Sequence, residues 1–108
     1  MSLRNPDVID AIRQVPDSGT LVLSLFDDTD WQHSAEHWDL LCEKVDRYLA
    51  FLVSGEVFDH WKGNDVDAFV IDVAFLHEPP APIASALELS QNFVASLGFT
   101  MLWRMREA

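Results

Sequence analysis

The segment from Ser34 to Gly55 carries the longest regular hydrophobic pattern in this chain. Its apolar residues recur at steps of three and four, which places them on one stripe of an α-helix. No proline interrupts the segment, Ser34 is suited to capping its first turn, and Gly55 is suited to ending it in the left-handed conformation. The pattern predicts one long helix that must bury one face. The stripe consists of Trp38, Leu41, Val45, Tyr48, Leu49, Leu52 and Val53.

Four segments have the short apolar or alternating pattern that is typical of β-strands, namely 8–15, 20–27, 68–77 and 99–105. The first two are separated by the turn sequence PDSG at 16–19, in which we expect the glycine to take a positive φ. A short turn of this kind predicts an antiparallel hairpin. The third strand is apolar on both faces, which predicts a central place in the sheet.

Residues 83–97 have the spacing of a second helix, which follows a proline-rich break at 78–82 and ends before Gly98. The predicted stripe of this helix consists of Ile83, Leu87, Ser90, Val94 and Leu97. The segment 56–67 reads as a connection with a turn-like Gly63-Asn64-Asp65. The resulting order is β-β-α-β-α-β. It predicts an α+β fold, a two-layer sandwich in which two helices pack on one face of a four-stranded sheet. A chain of 108 residues fits a single domain, 1–108.

The formal net charge of −11 is unevenly distributed along the chain. Between Gln14 and Trp103 there are 15 acidic residues against three basic ones. Such a field repels phosphate backbones and anionic membranes, which disfavours nucleic-acid and membrane partners. It attracts a basic protein, although solubility alone would also explain the acidity.

The sequence has no apolar segment of the ~20 residues that span a bilayer, and no apolar core of a signal peptide follows its start. Its only cysteine is Cys42, so an intramolecular disulfide is excluded. These features predict a cytoplasmic protein.

One group of residues has a spacing that occurs in metal sites. Asp30, His33 and His37 lie three and four residues apart, and two histidines four apart on a helix can share a metal ion. If Ser34 caps the helix, however, His33 lies outside it, and these residues are then polar groups at a solvated helix start. We therefore expect no metal and no cofactor, and retain the three residues as weak candidates.

Other candidates for chemistry have simpler explanations. Asp27, Asp28 and Asp30 could bind a cation, but the run lacks the glycine and the distal glutamate of a calcium loop and is typical of a strand end. Cys42 has apolar neighbours, which favours a small core residue over a nucleophile. Neither a GxSxG sequence nor a glycine-rich phosphate loop is present. We therefore expect a protein that is not an enzyme.

Aromatic residues suggest a different kind of site. Trp31 and Trp61 are candidates for an interface if both are exposed, because tryptophan is enriched in binding hot spots. Together with Asp27, Asp28 and Asp30 they form the predicted partner-binding residues. The alternative is that the tryptophans belong to the core.

Three segments carry a resemblance to a known family. They are Val8-Ile9-Asp10, the strand from Leu21 to Asp27-Asp28 with Trp31, and above all the helix from Leu41 through EKVDRYLAF to Ser54-Gly55-Glu56. In these residues the chain resembles the domain of unknown function 6572, a family of small uncharacterised bacterial proteins. The resemblance implies a compact soluble domain and no established activity.

These observations lead to three hypotheses. The first is a non-catalytic domain that binds a basic protein, with an immunity-like role against a basic toxin as its sharpest form. The second is a small metal-dependent hydrolase that uses Asp30, His33 and His37. The third is a homodimer formed through a sheet edge or an aromatic patch.

Overall fold

The computed structural model describes residues 8–61 and 66–106, and within them the chain forms four strands and three helices. The predicted turn at 63–65 lies outside the described residues. In chain order the elements are β1 (Ala11–Gln14), β2 (Thr20–Asp27), α1 (Ser34–Val53), α2 (Val57–His60), β3 (Ala68–Phe75), α3 (Ala81–Ser96) and β4 (Thr100–Met105).

The strands form one mixed sheet in the order β1-β2-β3-β4. β1 pairs with β2 antiparallel, which confirms the hairpin, and β2, β3 and β4 are parallel. Each parallel pair requires a crossover, which α1 and α2 supply between β2 and β3 and α3 supplies between β3 and β4. β3 lies between two strands, as its two apolar faces predicted. The fold is therefore α+β.

The structure adds one helix to the predicted two. The segment 56–67 was expected to be a connection, but Val57–His60 forms the short helix α2. Four residues are too few for a helical period to be visible in a sequence. The side chain of Val57 is fully buried, so α2 has an apolar contact with the core.

Alternate residues of the strands and one stripe of each helix build a single hydrophobic core, as the alternation and the helical spacing predicted. Val53 and Leu97 depart from the predicted stripes, since they are 64% and 43% exposed. The buried members of the core are Leu21, Leu23, Leu25, Leu41, Val45, Tyr48, Leu49, Leu52, Val57, Ile71, Val73, Phe75, Leu87, Val94 and Met101.

Two local predictions are wrong. Ser34 is the first residue of α1, and its hydroxyl donates to the Trp31 carbonyl at 2.8 Å instead of capping a backbone amide. In the turn at 16–19 the positive φ of 58° belongs to Asp17. At Gly19 a Cβ atom would meet the carboxylate of the exposed Asp67, which would have to move aside. The prediction for Gly55 is confirmed by its φ of 80°.

β1 is shorter than predicted because Asp10 ends it with a side-chain contact. One oxygen of the Asp10 carboxylate accepts the backbone N–H of Phe26 at 2.8 Å, and the other accepts the Lys44 ammonium at 2.9 Å. Both side chains of this ion pair are fully buried. Such a pair is retained only when hydrogen bonds satisfy both charges.

Tyr48 extends this buried network by one turn of α1. Its hydroxyl donates to the Ser24 carbonyl at 2.6 Å and accepts the backbone N–H of Asp10 at 2.9 Å. Burial raises the pKa of the Tyr48 hydroxyl, and the charge of Asp10 raises it further, so the group remains a donor. The network joins α1 to both strands of the hairpin.

The sheet face opposite the core carries charged side chains. Asp72 is 8% exposed and accepts the Arg104 Nε–H at 3.2 Å. The Arg106 guanidinium lies over the Phe26 ring at 5.3 Å. Arg13 is paired in register with Val22 and so shares this face. Three of the five basic residues in the described chain therefore lie on one side of the sheet.

Replacing Lys44 with methionine tests the buried pair, because the Asp10 carboxylate then stays buried without its counter-charge. We expect Lys44→Met to lower the free energy of unfolding by about 3 kcal/mol in urea denaturation. The exposed neighbour provides the control, since Glu43→Gln should leave the midpoint near that of the wild type. Adding Asp10→Asn to Lys44→Met should recover part of the loss. If the loss in the double variant equals the sum of the losses in Lys44→Met and Asp10→Asn, the two side chains do not interact, and the pairing is contradicted.

Candidate functional site

The carboxyl ends of β2 and β3 meet the start of α1, and this is where sheets with parallel strands usually place ligands. β2 ends at Asp27, and α1 begins seven residues later with His37 in its first turns. The two side chains meet here in a buried contact. We call the group formed by Asp27, Trp31 and His37 the sheet-end corner.

Both ring nitrogens of His37 are engaged in the sheet-end corner. Nε2 lies 2.5 Å from Asp27 Oδ2, and Nδ1 lies 3.0 Å from the Asp30 carbonyl oxygen. A carbonyl only accepts, so Nδ1 carries a hydrogen, and one further proton is shared between Nε2 and the carboxylate. Since both side chains are at most 2% exposed, neither offers a free lone pair to a substrate or a metal ion.

Trp31 closes the corner from the outside. Its ring stacks on the His37 ring with 3.6 Å between centroids, and its indole N–H donates to the His77 carbonyl at 3.1 Å. Asp27 Oδ1 accepts the Thr29 backbone N–H at 3.0 Å. Burial raises the pKa of Asp27, while the bonds from His37 and Thr29 oppose the rise. The corner is therefore internally satisfied and joins β2, β3 and α1.

The residues proposed for a metal site do approach one another. Asp30, His33 and His37 line one cavity of about 70 Å³ together with Glu36. His37 already uses both nitrogens, however. Within residues 8–61 and 66–106, no group of three or more His, Cys, Asp or Glu side chains is placed to hold a metal ion. Nothing in this geometry supports the metal-dependent hydrolase.

The predicted partner-binding residues separate into different places. Trp31 lies at the carboxyl end of β2, whereas the Trp61 indole N–H donates to Gln14, beside the first residues of that strand. Six residues of strand, about 20 Å, lie between the two ends, so the tryptophans do not share a patch. Asp27 is 1% exposed, whereas Asp28 and Asp30 are exposed.

A larger cavity of about 640 Å³ lies between β1 and the second half of α1. Its volume is in the range of ligand pockets. Its lining mixes apolar Ile12 and Phe51 with charges of both signs, Arg47 and Glu56. Because charges of both signs line the cavity, its electrostatics favour neither an anionic nor a cationic ligand.

The outward surfaces of the helices are strongly acidic, and we call them the helical surface. In α1, α2 and α3 a single exposed guanidinium, that of Arg47, stands against six exposed carboxylates. The other cation of these helices, Lys44, is buried beside Asp10. The acidic residues are Glu36, Asp39, Glu43, Asp46, Asp59 and Glu88.

Large apolar side chains are also exposed on the helical surface. Leu89, Phe93 and Leu97 are 71%, 56% and 43% exposed. They are spaced four residues apart, so they lie along one stripe of α3 and just beyond its end. Sequence reasoning missed this stripe because it followed the apolar residues that include Leu87 and Val94, which face the core. The exposed stripe could have been found in the sequence, because the segment that forms α3 has apolar residues on two sides of the helix.

Among the described residues, no helix is both long enough and apolar enough to cross a bilayer.

Comparison with known proteins identifies a family for this chain. The chain belongs to the family of unknown function DUF6572, whose model matches residues 1–107. Neither the curated proteins nor the solved structures contain a significant match. The resemblance read from the sequence is thereby confirmed, and it brings no activity with it.

Two substitutions distinguish the roles of the pair in the sheet-end corner. Asparagine at position 27 can donate to His37 Nε2 and still accept from Thr29, so Asp27→Asn should stay within about 1 kcal/mol of the wild type. Leucine at position 37 leaves Oδ2 of the buried Asp27 carboxylate without its donor, while Oδ1 keeps only the Thr29 amide. His37→Leu should therefore cost about 3 kcal/mol in urea denaturation.

The same variants should differ in their dependence on pH. The pKa of Asp27 is raised from its ordinary value of 3.8, so the folded state binds this proton more tightly than the unfolded chain does. The stability that this group contributes is full below 3.8 and is lost as pH rises through the folded value. As the pH rises above 3.8, this loss should be largest in His37→Leu, which lacks the bond that opposes the rise in the pKa of Asp27, and absent in Asp27→Asn, which lacks the carboxyl group. If the free energy of unfolding falls with pH equally steeply in the two variants, Asp27 is not the group responsible for this pH dependence.

Proposed function

We propose that this member of DUF6572 is a non-catalytic binding domain whose partner is a basic protein. The observation that carries the proposal is the separation of charge across the fold. The helical surface has six exposed carboxylates and one exposed guanidinium, whereas Arg13, Arg104 and Arg106 lie on the opposite face of the sheet. A one-sided field of this kind orients a basic protein as it approaches.

The interior supports the same proposal because its charges are already paired. Asp10 contacts Lys44, and Asp27 contacts His37. On the helical surface, by contrast, exposed carboxylates outnumber exposed guanidinium groups by six to one. Like charges on one side of a domain repel one another and lower its stability. A bound cationic protein would reduce this repulsion.

The acidic surface extends from α1 toward the end of β2. Asp30 and Glu36 line the same small cavity, and Asp28 is exposed beside them. Of the residues predicted for partner binding, Asp28, Asp30 and the half-buried Trp31 therefore border the helical surface. Asp27 is buried, and Trp61 lies at the other end of the sheet, so neither belongs to the proposed interface.

The sharpest form of this proposal is an immunity-like role, in which the chain covers a basic toxin and blocks it. Charge complementarity suits such a role because it speeds association before the toxin acts. The cytoplasm is the proposed compartment, since Cys42 is the only cysteine.

Neutralising part of the acidic surface tests the proposal. Asp39→Asn, Glu43→Gln and Asp46→Asn together remove three charges from α1. Basic proteins captured by the immobilised wild type at about 50 mM NaCl should be released at about 500 mM. For a purified captured partner, surface plasmon resonance should give an association rate about tenfold lower with the triple variant.

The matched control removes the same number of charges elsewhere. Asp17→Asn, Asp67→Asn and Glu78→Gln alter exposed residues outside the helices, and the association rate should stay within about twofold of the wild type. The proposal fails if the wild type retains no basic protein beyond those bound by bare resin. It also fails if both triple variants reduce the rate equally. Toxicity of the captured partner in growing cells, relieved by co-expression of this chain, would establish the immunity-like form.

A further inference from the structure

The exposed stripe of Leu89, Phe93 and Leu97 borders a groove that lies between α1 and α3. Trp38, Cys42 and Asp46 from α1 face Ser90 and Phe93 from α3 across a shallow cavity of about 50 Å³. We call this the α1–α3 groove. Its floor is the hydrophobic core, and Phe93 stands at its mouth with 56% of its surface exposed.

The two walls of the groove differ in character. On the α3 side, Phe93 lines the groove. Leu89 and Leu97 lie four residues before and after it, so the exposed stripe spans about 12 Å along the helix beside the groove. α1 contributes carboxylates. Burial raises the pKa of the Cys42 thiol, and the nearby charges of Asp46 and Asp39 raise it further. An apolar ridge therefore lies beside an acidic one.

We propose that the α1–α3 groove is the docking site for a basic amphipathic helix of the partner protein. The inference rests on the proposed function, because it names the part of the partner that the helical surface receives. An amphipathic helix presents apolar residues at steps of three and four, and these can seat between Leu89, Phe93 and Leu97. Its lysine and arginine side chains then face Asp39, Glu43 and Asp46.

Other occupants fit the groove less well. A cavity of about 50 Å³ is far smaller than the pockets of roughly 300 Å³ or more that hold small molecules, so it accepts single side chains. A second copy of this chain would bring the same carboxylates together, and each copy has a net charge of −11. A basic helix satisfies both the apolar ridge and the acidic one.

The apolar ridge is dispensable for the fold, which makes the inference testable by substitution. α3 contacts the core through Leu87 and Val94, both at most 1% exposed. Leu89→Ser with Phe93→Ser should therefore leave the urea midpoint close to that of the wild type. The control is Leu102→Ser, which removes an equally exposed apolar residue, 51% exposed, from β4.

The probe is a fluorescein-labelled peptide of about 18 residues, with leucine at helical spacing and lysine elsewhere, studied by fluorescence anisotropy. A scrambled peptide of the same composition reports charge attraction alone. We expect the amphipathic peptide to bind the wild type at least about tenfold more tightly than the scrambled one. Leu89→Ser/Phe93→Ser should remove that difference, whereas Leu102→Ser should retain it.

Cys42 supplies a second readout at the groove itself. As the only cysteine of the chain, it can be followed by its rate of reaction with N-ethylmaleimide. The amphipathic peptide should slow this reaction in the wild type and not in Leu89→Ser/Phe93→Ser. The scrambled peptide should leave the rate unchanged.

The outcomes separate this inference from the proposed function. If both peptides bind equally and Cys42 reacts at the same rate, the groove is not the site, and salt-dependent binding of a basic protein stands. If neither peptide binds and no basic protein is captured, both proposals fall. If light scattering shows a dimer that Leu89→Ser/Phe93→Ser abolishes, the stripe binds a second copy, and the inference is overturned.

Discussion

The buried contact between Asp10 and Lys44 determines how the longest helix lies on the sheet. Asp10 directly precedes β1, and its carboxylate accepts both the Phe26 amide and the Lys44 ammonium. The side chains of Asp10 and Lys44 are out of contact with solvent. A buried charge without its partner costs several kcal/mol, so α1 cannot slide or rotate without losing this contact. Tyr48, one turn later, bonds both Asp10 and Ser24 and fixes the same position again. The helix is thereby tied to both strands of the hairpin.

A second polar contact, between His37 and Asp27, holds the first turns of α1 against the sheet. His37 and Lys44 lie seven residues, or about two turns, apart and alternate with Leu41 and Tyr48 along the buried stripe of α1. His37 meets Asp27 at the end of β2, while Lys44 meets Asp10 before β1. We infer that these pairs select one register for α1, because an apolar stripe alone would accept several. The same arrangement explains why the sheet-end corner, which resembles a catalytic pair by composition, has no free group for chemistry.

The sequence predicted the elements of this fold well and its contacts poorly. Periodicity located α1, β2 and the core positions such as Leu23 and Ile71, because burial of alternate or helical stripes leaves a visible pattern. Lys44 was counted only as a charge, although its place between Leu41 and Tyr48 on the stripe was a signal of burial. Pairings such as Asp10 with Lys44 span 34 residues and leave no local trace. The candidate surface was missed for a related reason, since Leu89 and Phe93 become informative only once Leu87 and Val94 are known to supply the contact with the core.

The proposed binding role is supported most strongly by the contrast between the paired charges of the interior and the excess of negative charge on the helical surface. Inside the protein, Asp10 contacts Lys44 and Asp27 contacts His37. On the helical surface the reverse holds, because carboxylates outnumber cations and large apolar side chains face water beside them. Neither feature stabilises an isolated domain, since like charges repel and exposed apolar surface favours association. Both would be satisfied by the same partner, one that brings positive charge and apolar side chains to the same side of the molecule.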